Sequence, residues 1–307
     1  MSRPAVTPGA SERPLAVYAA IAANIAIAVT KFIVAGLTGS AAMLSEGIHS
    51  AVDTFNGVLL LVGLRLSKRP ASAEHPFGHG KELYFWSLIV AVLIFGLGGG
   101  MSVYEGVEHV RHPAPLSDPM WNYIVLGLAA LFEGASFAVA LREFMAQKRG
   151  QPFWSAIRRS KDPTSYTVLA EDGAALAGLG LAAAGIFASH HFDMPVLDGV
   201  ASIAIGLLLA AVAVFLVREA RGLLIGEGLR PETADRIRAL ALAHPGVRAT
   251  GKVLSMYLGP NEVLVTLDIS FDAGTLASDA GRIVDALEAE VQAQFPMIRR
   301  VFIGSVD

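Results

Sequence analysis

Up to Leu224 the chain is a succession of apolar runs, each about as long as a bilayer requires, roughly 20 residues. Six qualify: about Leu15 to Leu37, Ala41 to Leu64, Leu83 to Val110, Trp121 to Leu141, Thr164 to Ala188 and Val196 to Leu224. A break at Gly36–Gly39 separates the first two. Glycine and alanine recur in all six, as expected where helices pack closely in lipid. Gly96, Gly98, Gly99 and Gly100 in the third read as a place for close packing, or for bending.

After Leu224 the period changes. Pro231 to Ala243 reads as a short helix with proline at its start. Gly246 to Leu258 and Glu262 to Phe271 read as strands joined by a turn at Gly259, Pro260 and Asn261. Val263, Val265, Leu267, Ile269 and Phe271 alternate with other residues, the period of a half-buried strand. A helix follows from about Leu276 to Gln294, and Arg300 to Val306 reads as a last strand. The order αββαβ suits a two-layer, ferredoxin-like domain with helices on one face of a sheet. The predicted class is therefore an α-helical polytopic membrane protein of six transmembrane helices with a small C-terminal α+β cytoplasmic domain. Its parts are a tail over 1–14, a membrane domain over 15–226 and the C-terminal domain over 227–307.

Composition strengthens this picture. Of 307 residues 53% are hydrophobic and 17% charged, against about 25% charged in a soluble domain. The first run has the length of a span and lacks a cleavage site, so it reads as retained. Arg65, Lys68, Arg69 and Lys81 follow the second span. Arg142, Lys148, Arg149, Arg158, Arg159 and Lys161 lie between the fourth and fifth. The turns after the first and fifth spans have no Lys or Arg, and the one after the third has only Arg111. The positive-inside rule then puts both termini in the cytoplasm. Topology accounts for the basic residues, which leaves nucleic-acid binding without support. Cysteine is absent, so any metal is held by His, Asp, Glu or backbone oxygen.

The informative residues are the ionisable ones inside the spans, because a charge near the bilayer centre is costly and points to function. The second span carries Glu46, His49 and Asp53, the fourth Glu133, and the fifth Glu171 and Asp172. His49 and Asp53 are four apart and share a helical face. Imidazole with carboxylate suits zinc and related divalent ions. No Lys or Arg lies at that depth in these three spans, and Lys31 reads as too near the outer end to pair with them all. A cation or protons must supply the missing positive charge. A lone His or Glu can instead bond helix to helix, a reading that weighs more on Glu133 and Glu171 singly than on His49, Asp53 and Asp172 as a set. Asn24 and Glu46 read as packing or local hydrogen-bonding residues. Glu105, Glu108 and His109 read as solvated, and Asp198 as a partner of a helix N-terminus.

Ser45 to Asp53, with its His-x-x-x-Asp spacing, resembles the second-helix metal motif of the cation diffusion facilitator family. His75-Pro76-Phe77-Gly78-His79-Gly80-Lys81 is similar to that family's loop before the third helix. Glu133-Gly134-Ala135-Ser136 and Glu171-Asp172-Gly173-Ala174-Ala175 resemble most the branch containing the mitochondrial zinc transporter 9. The resemblance implies that His49, Asp53 and Asp172 are transport-site ligands. The family usually has a His or Asp where this chain has Val168, which leaves Glu171 or Glu133 for a fourth ligand. His75 and His79 match loop histidines that bind a second metal in some members, with Ser72 near the accompanying Asp position; a role in anchoring the loop is the alternative. The tail's only histidine is His244, so no binuclear tail site is expected, and the tail is expected to serve as a homodimer contact.

The resemblance implies efflux of a divalent cation, zinc favoured, by exchange for protons. No cofactor is expected beyond the transported cation. The expected partners are divalent ions, protons, the bilayer and a second copy of the chain. The expected location is an integral, multi-pass one, with a bacterial inner membrane favoured and an organelle membrane the alternative. Manganese, iron or cobalt are alternative cargoes. A membrane-embedded metalloenzyme is a different class, disfavoured by the lack of His-Glu-x-x-His, and no Walker lysine motif suggests an ATP-driven step. A membrane-anchored sensor would concentrate ligands in the tail, the reverse of what is found.

Overall fold

In the computed structural model, residues 14–113, 119–147, 150 and 152–305 are described. The tail over 1–14, apart from Pro14, lies outside them, as do Lys148, Arg149 and the side chains of Arg158 and Arg159.

Each apolar run becomes a helix. The first is α1 (Pro14–Thr38), 25 residues long, about 38 Å at 1.5 Å per residue. Gly39, at φ +73°, occupies the left-handed region that favours glycine and turns the chain into α2 (Ala41–Ser67). The third run is α3 (Glu82–Leu93), a seven-residue π-helical stretch Ile94–Gly100, and α4 (Met101–Arg111). Then come α5 (Met120–Gln147), α7 (Pro163–His191) and α8 (Val196–Ile225). Among the described residues, five helices are long and apolar enough to cross a membrane: Ala41–Ser67, Glu82–Arg111, Met120–Ala146, Pro163–His191 and Val196–Ile225. A short helix, α6 (Phe153–Arg159), precedes α7. It is an element not expected from the pattern, because seven residues are too few to show a period.

The described chain divides into two compact units that cut across the long helices. One holds the residues up to Val58, Ala91–Glu143 and Val168–Val214; the other holds Leu59–Val90, Phe144–Thr167 and the chain from Phe215 onward.

In the first unit the glycine-rich stretch is a packing seam. A methyl group built on Gly206 of α8 would lie 2.7 Å from the Gly99 carbonyl oxygen, and one on Gly106 would lie 2.7 Å from the Gly199 carbonyl oxygen. Backbone meets backbone at both points, as small residues permit in lipid. Ser202 of α8 donates to the Ser102 carbonyl at 2.8 Å between them.

In the second unit the tail forms α9 (Pro231–Ala243), β1 (Val247–Thr250), β2 (Leu254–Gly259), β3 (Glu262–Phe271), α10 (Ala277–Gln294) and β4 (Ile298–Ser305). The strand expected over 246–258 is broken into β1 and β2. Gly251 interrupts the ladder, yet its N–H still donates to the Asp268 carbonyl at 2.7 Å. Both pieces pair antiparallel with β3, and β4 pairs parallel along its other edge. Val263, Val265, Leu267 and Ile269 of β3 are buried against Ile237 of α9 and Leu287 and Val291 of α10. This is the expected two-layer domain.

Candidate ion-binding site

The polar residues of α2 recur at three- and four-residue steps. Glu46, Ser50, Asp53 and Asn56 therefore stack along one face, with His49 one turn before Asp53. Within the first unit, α5 and α7 bring acids to the same place. Asp53, Glu133, Glu171 and Asp172 line one cavity of about 170 Å³, with no Lys or Arg in its wall. Glu171 and Asp172, about 100° apart on an ideal helix, both reach it.

The acids are held in different ways. Asn56 donates its amide to Glu171 Oε1 at 2.9 Å. Ser136 donates its hydroxyl to Asp172 Oδ2 at 2.8 Å. His49 Nδ1 approaches Asp53 Oδ1 to 3.3 Å without the alignment of a hydrogen bond. Both ring nitrogens of His49 and Oδ1 of Asp53 are buried with no hydrogen-bond partner. A buried polar atom left unpaired costs about 1–3 kcal/mol, so these atoms stand to gain from a ligand.

The arrangement gathers donors without closing a coordination sphere. Among the described residues, no three His, Asp or Glu side chains are grouped so as to hold one ion. His49 adjoins the cavity through Asp53 but does not line it. Val168 does line it and offers only an apolar surface.

The loop histidines lie in the second unit, with ring centroids 4.5 Å apart. His79 Nδ1 lies 3.2 Å from the Pro70 carbonyl. Ser72 accepts from the His75 N–H at 3.1 Å and its own N–H donates to the His75 carbonyl, so Ser72 shapes the turn where an acid was looked for. His244 is half-buried, its Nδ1 3.0 Å from the Pro245 carbonyl.

Several expectations need correction. Lys31, expected to lie too far out to pair with all the acids, pairs with one of them: it is fully buried, with Nζ 3.0 Å from Glu46 Oε2 and 2.7 Å from Ser50 Oγ. Glu46 is therefore half of a buried ion pair rather than a packing residue. Asn24 lines the acid cavity. Asp198 serves the N-terminus of α2 rather than only its own helix. It accepts from Ser40 Oγ at 2.8 Å and from the N–H groups of Ala41 and Ala42 at 2.5 and 3.2 Å. His109 is not solvated but mostly buried, its Nε2 4.0 Å from Asp198 Oδ2. Asn56 and Ser136 were not expected as hydrogen-bond partners of the acids. The available signal was their spacing, each three residues after an acid of its own helix.

Helices that span a membrane, acids and an imidazole buried among them, and a small α/β tail together define a polytopic membrane transport protein. Two family models match the chain: the cation efflux transmembrane domain over residues 17–225 and the cation efflux protein cytoplasmic domain over residues 229–303. The chain belongs to the cation efflux family, whose members here are transporters rather than enzymes. It is 34% identical to the human (Homo sapiens) protein described as proton-coupled zinc antiporter SLC30A9, mitochondrial, over 88% of this chain and 47% of that protein. It is 35% identical to metal tolerance protein C4 of Arabidopsis thaliana, over 84% of this chain and 57% of that protein. The magnetosome protein MamM of Paramagnetospirillum magneticum is 26% identical over 94% of this chain and 86% of its own length. The chain thus spans about half the length of the first two relatives. A solved nickel form of the MamM CTD is 22% identical over 25% of this chain and 96% of that one, with a TM-score of 0.24. The expected family and branch are borne out.

Proposed function

We propose that this chain exports a divalent cation, zinc favoured, in exchange for protons, through a site built on His49, Asp53 and Asp172. The observation that carries the reading is the convergence of Asp53, Glu133, Glu171 and Asp172 on one small cavity without a basic residue in its wall. Like charges so close in a low dielectric repel strongly, and only protons or a cation relieve that repulsion. His49 adds a nitrogen ligand next to Asp53, which favours zinc over purely oxygen-seeking ions.

On loading, His49 and Asp53 swing toward Asp172, and Glu171 or Glu133 supplies the donor that Val168 lacks. Metal binding requires these groups unprotonated, so protons arriving from the opposite side displace the ion. The protonated site then returns. His75 and His79 form a second, loop site for the same class of ion. The tail, residues 227–307, joins two copies into a homodimer. Both termini are cytoplasmic, and the membrane is a bacterial inner one. The similarity to a human proton-coupled zinc antiporter supports both the proton coupling and zinc as the cargo.

The test is metal uptake by proteoliposomes, with zinc, manganese, iron and cobalt compared under an imposed pH gradient. Zinc is expected to move fastest and only while the gradient lasts. Gradient-independent zinc flux would remove the exchange mechanism, and equal flux of all four ions would remove the preference.

A further inference from the structure

The first unit holds two cavities on the same pair of helices. The acid cavity is lined on α1 by Asn24 and Ile27, and on α2 by Ser50, Asp53 and Gly57. A second cavity, about 330 Å³, is lined on α1 by Phe32, Ala35 and Gly36, and on α2 by Ala41 and Leu44. Lys31 falls between the two sets on α1, and Glu46 between them on α2. The buried ion pair therefore lies, along both helices, between the residues that line the two cavities, and Ser50, which accepts from Lys31, belongs to the wall of the first.

Glu46 lies seven residues from Asp53 on α2. Its Oε1 faces Gly178, where any Cβ would collide with it, and Gly178 lies seven residues from Glu171 on α7. Seven residues return to the same helical face about 10.5 Å further along. The two helices thus carry two levels: Asp53 with Glu171, and Glu46 opposite Gly178. At the second level the carboxylate is only half satisfied, because Oε1 is buried and has no hydrogen-bond partner.

From this we infer that Glu46 is a second cation station on the path from the acid cavity to the Ser40 end of α2, and that the Lys31 ammonium is its resident occupant, which keeps that path shut. A divalent ion passing this level takes Lys31's place on Glu46, and Lys31 reseats behind it. A merely structural ion pair would hold the helices together without controlling access. The idea rests on the chain being an ion transporter, but access can be measured without transport.

The chain has no cysteine, so single cysteines can report access. A side chain fits at Gly36 and at Gly57, where a Cβ meets nothing within 4 Å. Gly36→Cys marks the second cavity and Gly57→Cys the acid cavity. In sealed vesicles, a charged, membrane-impermeant thiol reagent is applied to the face from which Gly36→Cys reacts. With the pair intact, Gly57→Cys is expected to react at least tenfold more slowly than Gly36→Cys. In the Lys31→Met/Glu46→Gln background, which leaves no buried charge unpaired, its rate is expected to rise at least tenfold. The reversed pair, Lys31→Glu/Glu46→Lys, is expected to restore protection. Elution volume and melting temperature check that each variant is folded. Glu46→Gln alone, which keeps an acceptor for Lys31, serves if the neutral pair does not fold, with a rise of at least threefold expected. Equal rates at the two positions in the native background overturn the inference, as does continued protection in a folded variant lacking the ion pair. Absence of zinc uptake by the native protein would count against the exchange mechanism and leave this readout intact.

Discussion

Asp198 and Asp53 are both acids inside membrane-spanning helices, and they are treated in opposite ways. Asp198 is fully buried and saturated: Ser40, Ala41 and Ala42 supply three donors, and the N-terminus of α2 adds a favourable dipole. Asp53 is partly exposed, its Oδ1 has no hydrogen-bond partner, and its near neighbour His49 has two unpaired ring nitrogens. Burial alone therefore does not mark a functional acid. The distinction lies in whether the surrounding structure already answers the charge. Asp198 closes a helix end, whereas Asp53 keeps an oxygen that the surrounding structure leaves unpaired.

The comparison breaks most directly at Asp53. Asp53→Ala is expected to lower zinc uptake at least 100-fold in proteoliposomes, with the melting temperature held within a few degrees; normal uptake would place the site elsewhere. Asp198→Ala should do the reverse. Losing the cap of α2 costs about 2 kcal/mol, seen as a lower melting temperature, while the folded fraction transports zinc at the native rate. A well-folded Asp198→Ala protein without uptake would put Asp198 on the ion path and erase the contrast. Val168→His sharpens it by adding a donor where the cavity wall is apolar. An imidazole nitrogen taking the place of the Glu171 or Glu133 oxygen as fourth ligand is expected to lower the half-saturating zinc concentration about tenfold, equivalent to about 1.4 kcal/mol. An unchanged value would mean that residue 168 does not face the ion. The smallest effect is expected at His79, which is held by the Pro70 carbonyl. His79→Ala should alter uptake no more than about twofold, the range of a surface change near 0.5 kcal/mol. A loss like that of Asp53→Ala would move the loop into the main pathway.

The spans were readable because lipid demands a long apolar run, and α7 and α8 begin within a residue of where the runs begin. The tail was readable for a different reason: Val263 to Ile269 alternate because only one face of β3 meets the helices. The break between β1 and β2 was not readable, since it depends on Gly251 bonding to a strand 17 residues away. The candidate acids were found one by one from their cost in lipid. Their partners were not, because Lys31 with Glu46, and Asp198 with the start of α2, are matched by packing between helices rather than by spacing along one. The expectation that Lys31 could not answer all the acids holds: it bonds Glu46 and does not line the cavity of the others.

The glycine seam has a mechanical consequence. Gly99 and Gly106 meet Gly206 and Gly199 in reverse order, two contacts seven residues apart on each helix. Beside these contacts stand Val103 and Val110, whose methyl groups already crowd Gly206 and Gly199. Sliding one helix past the other by even a single residue would drive a side chain into a gap sized for hydrogen. α4 and α8 must therefore travel as a single slab. Relative movement is left to the helices that touch that slab through softer, side-chain-bearing surfaces.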